Sequence, residues 1–389
     1  MKIQLFDKLD ASYKDMVQIR RHLHMHPEVS FEETETAKYI QKFYDELGVA
    51  YEANVGGNGV VAHIKGSKPG KTIALRADFD ALPIQEENDI PYKSTVAGVM
   101  HACGHDGHTA TMLQLAKALH EMREQLVGEY VIIHQHAEEF APGGAKPMVE
   151  AGCLNGVDAV FGTHLWSLTP FGTVEHRPGP MMASSDRFEI TIHGRGGHGA
   201  MPQDTVDALT VGAQLVTYLQ QIVSRRVDPI ESAVVTIGSF NAGDTFNVIP
   251  GEAKISGTVR TFIPEIRDLV QAEIERIVKG TCLAADCSYS YDYLRGYPPV
   301  VNHEKEAAFL TTIAKEIPGV LNVQQCPPLM VGEDFSYYLE EVPGVFFFTG
   351  AMPENTVYPH HHPKFDFREE SMLIASKTLG AAVLDYQNL

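Results

Sequence analysis

Three short apolar runs, over positions 72–77, 130–133 and 157–162, each lead into a chemically loaded residue: Asp78, the pair Glu138-Glu139, and His164. A helical segment over 109–126 separates the first run from the second, with apolar residues at Met112, Leu115, Ala116, Leu119, Met122 and Leu126. Strands alternating with helices predict an α/β fold, and in such sheets ligands collect beyond the carboxyl ends of the strands. The four loaded residues therefore belong to one neighbourhood. Two further helices, over 15–23 and 32–47, precede the first strand, and Gly48 stops the second of them.

The pattern changes after Pro178-Gly179-Pro180. Residues 187–193 alternate with Phe188, Ile190 and Ile192 on one face, 207–225 reads as a helix, and 232–240 and 252–262 read as strands. A helix over 265–283 and a strand over 287–294 follow. The order βαββαβ is that of a ferredoxin-like unit, a four-stranded antiparallel sheet backed by two helices. Mixed elements return after Gly296-Tyr297-Pro298-Pro299, with a strand over 345–348 and a last helix over 369–386. A chain of 389 residues exceeds the roughly 250 to 300 at which one core stops growing. The expected division is a catalytic domain in two parts, 1–183 and 297–389, with an inserted satellite domain at 184–296.

Composition narrows the partners. A formal charge of −19, from 50 acidic against 31 basic residues, repels phosphate backbones and anionic membrane surfaces, so nucleic acid and membrane are not expected. No apolar stretch of signal-peptide or membrane-spanning length is present, and five scattered cysteines suit reduced thiols, which together predict a cytoplasmic protein.

The densest chemistry is His101-Ala102-Cys103-Gly104-His105-Asp106-Gly107-His108, where a thiol, imidazoles and a carboxylate share a glycine-punctuated loop. Thiolate and imidazole suit zinc and other borderline divalent ions. Past a strand end both Glu138 and Glu139 can face one site, one as a metal ligand and its neighbour as a general base acting on water. His164 and the triplet His360-His361-His362 are further candidates, and each element alone also fits a purely structural role.

Together with Arg76-Ala77-Asp78-Phe79-Asp80-Ala81-Leu82-Pro83, Gly162-Thr163-His164, Gly194-Arg195-Gly196-Gly197-His198-Gly199-Ala200-Met201-Pro202, Gly332-Glu333-Asp334-Phe335-Ser336 and His361-His362-Pro363, these motifs make the chain recognisable. It resembles the amidohydrolase branch of the aminoacylase and carboxypeptidase metallohydrolases, which includes hippurate hydrolases and plant auxin-conjugate hydrolases. The resemblance implies an α/β/α catalytic domain with a mixed sheet, and two divalent metal ions per subunit, manganese or zinc, with cobalt and nickel also accepted. It implies that Cys103 approaches both ions, that His105 and Glu139 complete one, and that His164 and His361 complete the other. Glu138 is then the general base, Asp78 orients the metal site, and His198 stabilises the oxyanion, delivered across a dimer. Asn247 and Arg260 match positions near the substrate, Arg260 facing its carboxylate. The implied reaction is hydrolysis of the amide of an N-acyl-L-amino acid in a homodimer or homotetramer formed through the satellite domain. Arg76 stands where the peptidase branch has a metal-binding histidine, which favours amidohydrolase over a dipeptidase or carboxypeptidase. A deacetylase of N-acetyl-diaminopimelate is the other enzymatic alternative, and a silent binding fold predicts losses among the ligands that the sequence does not show.

Overall fold

The computed structural model describes residues 1–389. The chain divides into two compact units, Met1–Met181 with Val301–Pro327 and Asp334–Leu389 forming the first, and Met182–Val300 with Pro328–Glu333 forming the second. The first unit is built on an eight-stranded sheet. From edge to edge its strands are Ala50–Val55, Gly59–Lys65, Val127–Gln135, Lys68–Asp78, Ala159–Trp166, Gly344–Gly350, Thr173–His176 and Asn322–Gln325. The four central strands are mutually parallel, and the next strand on each side, Gly59–Lys65 and Thr173–His176, runs antiparallel to them; Ala50–Val55 then pairs antiparallel and Asn322–Gln325 parallel at the two edges.

Alternation along the strands sorts side chains to the two faces of this sheet. Val345 and Phe347 join the main core, with Leu113, Leu115 and Leu119 of helix His105–Met122 and Leu379 and Val383 of helix Ser371–Tyr386. Phe346 points the other way and meets Phe335 with ring centroids 4.9 Å apart. Gly162 lies under the same ring, where a Cβ would come within 2.6 Å of it. Helix Ala145–Glu150 packs with helix Ser336–Glu341, whose Tyr338 hydroxyl donates to Gln135 Oε1 at 3.1 Å. Helices thus cover both faces, and the strands between them are buried on both sides, which each fully buried leucine stabilises by about 1.5–3 kcal/mol. No helix is long and apolar enough to cross a membrane.

Two local differences from the sequence reading bear on the site. The helix expected from 109 begins at His105, because Gly104 takes a left-handed φ of 98° and turns the chain straight into the first helical turn. The strand expected to end at Gly162 continues through His164 to Trp166. A histidine can lie in a covered strand when its ring is partnered, and His164 Nδ1 faces the Leu165 carbonyl at 3.0 Å.

The second unit carries a four-stranded antiparallel sheet in the order Ala233–Asn241, Glu252–Thr261, Asp186–His193, Ser288–Leu294. Phe188, Ile190 and Ile192 are buried on one face, against helices Ala208–Leu219 and Pro264–Ala284. Asp207 caps the first of these, accepting from the backbone N–H groups of Leu209 and Thr210. This is the ferredoxin-like βαββαβ arrangement that the sequence predicts.

Candidate metal centre

The parallel register sets the floor of the site. Asp78 stands beside Gln135, and Phe348 beside His164, so the ends of neighbouring strands open on one rim. Helix His105–Met122 starts at that rim and presents His105 from its first turn, with Cys103 just ahead. Gly107 lets this helix lie close, since a Cβ there would come within 2.5 Å of Phe367. Ala137 and His361 both adopt left-handed backbone, with φ of 51° and 66°, a conformation costing on the order of 1–3 kcal/mol for a residue other than glycine. One introduces Glu138 and Glu139; the other carries the last donor. The His361 N–H donates to the Ala102 carbonyl at 2.8 Å, which ties the C-terminal loop to the Cys103 segment.

The side chains converge. Cys103 Sγ lies 3.3 Å from His164 Nε2, and His361 Nε2 lies 3.2 Å from Glu139 Oε2. His105 Nε2 is 3.8 Å from Glu139 Oε1 and 4.0 Å from Glu138 Oε2. Within a mutual distance of 4.8 Å the donor atoms form the sets Cys103–His105–His164, Cys103–Glu139–His361 and His105–Glu138–Glu139. Cys103 belongs to the first two. Around Cys103 the geometry groups His361 with Glu139 and His164 with His105; it also brings His105 to Glu139, the pair that the resemblance assigns to one ion, while the resemblance gives His164 and His361 to the other. The placement of His164 inside its strand, beside Cys103, and the left-handed turn at His361 produce this grouping.

The rings are held from behind. His105 Nδ1 sits 3.0 Å from the Asp80 carbonyl and 3.1 Å from its Oδ1, which makes Nδ1 the protonated nitrogen and aims the lone pair of Nε2 inward. The other carboxylate oxygen of Asp80 accepts from the Glu139 N–H at 2.9 Å and the Ser30 hydroxyl at 2.7 Å. Asp78 accepts from His108 Nδ1 and Arg76, each at 2.6 Å, and His108 Nε2 in turn accepts from the Leu165 N–H at 2.9 Å. Arg76 also reaches Asp334, which accepts from Gln135. Asp80, His108 and Asp334 had no role in the sequence reading. The signal for Asp80 was its position two residues after Asp78 at the strand end, and His108 stood in the densest motif.

Electrostatics test whether this set suits a cation. Burial alone lowers the affinity of His105 for a proton, but the Asp78 and Asp80 carboxylates push its pKa up to about 10. Burial, with Glu139 and Glu138 alongside, pushes the Cys103 thiol well above its ordinary range. Burial beside His108 and His360 holds His164 well below the usual imidazole range, leaving a neutral lone pair. Burial opposes the charge of Asp78, yet His105, Arg76 and His108 keep its carboxyl well below the ordinary carboxylate range. Negative charge is in excess here, and His105 Nε2 and Glu139 Oε1 are buried without hydrogen-bond partners. A divalent cation satisfies both atoms and displaces the protons that the field attracts. The residues fit a metal centre whose donors are one thiolate, imidazoles and carboxylate.

Three other expected residues lie in the second unit. Gly197–His198 pairs with Val248–Ile249, so that His198 stands opposite Val248, next in sequence to Asn247. The Ala200 N–H donates to His198 Nδ1 at 3.0 Å, leaving Nε2 as the protonated nitrogen on an exposed ring. Arg260, on strand Glu252–Thr261, donates to the Thr258 hydroxyl and, at 3.0 Å, to the Val259 carbonyl. Partial burial lowers its pKa, and the same desolvation strengthens its attraction for any anion it meets.

The sequence pattern of peptidase family M20/M25/M40 matches residues 74–385. The chain is 56% identical over 384 residues to YhaA of Bacillus subtilis, covering 98% of this chain and 97% of that one. It is 49% identical over 297 residues, 76% of this chain and 80% of the other, to an N-acyl-L-amino acid amidohydrolase of Geobacillus stearothermophilus. The crystal structure of Bacillus subtilis YXEP, a dinuclear metal binding peptidase from the M20 family, aligns with a TM-score of 0.84 at 36% identity, over 97% of this chain and 99% of that one. The chain belongs to peptidase family M20/M25/M40, and it is a hydrolase that acts on amide bonds.

Proposed function

We propose that the enzyme hydrolyses the amide bond of N-acyl-L-amino acids with two divalent metal ions, manganese or zinc. The observation that carries this reading is the pair of donor sets sharing Cys103, with Glu138 beside them. Cys103, His105 and His164 would hold one ion, and Cys103, Glu139 and His361 would hold the other. When bound, the ions supply Lewis acidity and make a water molecule acidic enough to lose a proton near neutral pH.

The chain's own groups do the rest. Glu138 accepts the proton of the attacking water on a carboxylate oxygen and delivers it to the leaving nitrogen as the C–N bond breaks and the new C–O bond forms. The products are a carboxylate and a free amine. His198, donating from Nε2, stabilises the charge that develops on the acyl oxygen, a contact of about 3–4 kcal/mol for a preorganised donor. Arg260 and Asn247 bind the amino-acid end, the guanidinium fork matching a carboxylate. Asp78 fixes His108 and Arg76 and so the wall of the site. The inserted segment 184–296 acts as the satellite domain through which two or four copies assemble, and segments 1–183 and 297–389 form the catalytic domain. The cysteines are all free, which supports a reducing, cytoplasmic setting.

The test is metal analysis joined to hydrolysis assays on N-acetyl and N-benzoyl amino acids, with dipeptides and N-acetyl-diaminopimelate as competing substrates. Glu138→Ala is expected to abolish turnover while metal content stays at the wild-type value. Retained metal with no turnover of any acyl amino acid by the wild type refutes the reading.

A further inference from the structure

His360 precedes the donor His361 and contributes to neither donor set, yet it is firmly placed. Its ring lies between Trp166, with centroids 4.4 Å apart, and Phe365, with centroids 4.8 Å apart. The backbone N–H of Ser167 donates to its Nε2 at 3.2 Å. A nitrogen that accepts a hydrogen bond carries no proton, so in the neutral ring the proton resides on Nδ1. Nδ1 faces Cys103, 3.8 Å from Sγ. The same contact bars His360 from the metal. To ligate through Nδ1 the ring must protonate Nε2, which then meets the Ser167 N–H donor to donor.

We propose that His360 is a positioning residue for Cys103: a neutral imidazole, protonated on Nδ1, that donates to the cysteine sulfur and fixes the direction of its lone pairs. The proposal rests on the reading that Cys103 is a metal ligand. A donor to a ligating thiolate drains charge from the sulfur and restricts its rotamer, and loss of such outer partners typically lowers metal affinity about 10–100-fold. Trp166 packs against the ring at an interplanar angle of 32°. It also stacks on Phe348, with centroids 4.4 Å apart, so the support runs back to the central sheet.

The experiment uses the full-length enzyme loaded with cobalt(II), whose thiolate complexes show a sulfur-to-cobalt charge-transfer band in the near ultraviolet. His360→Phe keeps an aromatic ring against Trp166 and Phe365 and removes the donor; His360→Asn retains an N–H near the Nδ1 position. Circular dichroism verifies that both variants are folded. The expected result is a band in the wild type, a shift to lower energy with weaker cobalt binding in His360→Phe, and recovery toward the wild-type band in His360→Asn. A band of unchanged energy in folded His360→Phe overturns the role of His360 while leaving Cys103 a ligand. Absence of the band from the cobalt-loaded wild type overturns Cys103 as a ligand, and the inference with it.

Discussion

Asp80→Asn tests how the centre is held. The carboxylate accepts from three donors, the His105 ring, the Glu139 backbone N–H and the Ser30 hydroxyl. Asparagine has one acceptor oxygen. The Ser30 hydroxyl can rotate and accept instead, but the Glu139 N–H can only donate, so the amide oxygen turns toward it. The amide nitrogen then faces His105 Nδ1–H, donor against donor. The Asp80 carbonyl, 3.0 Å from Nδ1, still accepts and keeps the tautomer from reversing completely. The net loss is one charge-assisted hydrogen bond behind a ligand, about 1.5–3 kcal/mol, equivalent to roughly 10–100-fold in zinc affinity. Competition with a chromophoric chelator measures it, with circular dichroism as the control for folding. Unchanged zinc affinity in folded Asp80→Asn refutes the argument that Asp80 orients His105 and Glu139.

Three further outcomes follow from the same structure. Arg20, fully buried, donates to Asp106 at 2.9 Å, and Arg20→Ala leaves that buried carboxylate with His24 as its remaining side-chain hydrogen-bond partner; urea titration should show a loss of about 3–5 kcal/mol. Gly107→Ala forces a methyl to within 2.5 Å of Phe367 and 2.7 Å of Leu165, an overpacking expected to cost about 1–3 kcal/mol in the same assay. Burial and the nearby Asp80 charge push Glu33 from 4.5 up to about 7. Between those values the folded state holds a proton that the unfolded state has released, so stability falls as pH rises through this window and the loss persists above it. Its full size is on the order of 3 kcal/mol, and Glu33→Gln should flatten this part of the stability profile measured by denaturant titration against pH.

The central strands were legible because their side chains are apolar and each ends at a residue that an interior tolerates only with a partner. The edge strands were not. Ala50–Val55 and Asn322–Gln325 are largely exposed, and an edge strand with little buried surface leaves no hydrophobic pattern. Helix Lys2–Ala11 buries Leu5 and Leu9 alone, one turn apart, too narrow a stripe to stand out. Within the site, the types of the donors could be read from the motifs, but their grouping could not. Whether His360 or His361 faces the centre depends on a left-handed backbone at one and on the Ser167 N–H behind the other. Sequence spacing is blind to both.

A crystal of the enzyme grown with zinc, with diffraction recorded on both sides of the zinc absorption edge, tests the central claim most directly. The account requires two anomalous peaks about 3.5–4 Å apart, as in other two-metal sites, both in contact with Cys103 Sγ, one bound by His105 and His164 and the other by Glu139 and His361. Peaks elsewhere on the chain, or a zinc pair that Cys103 does not touch, would contradict it.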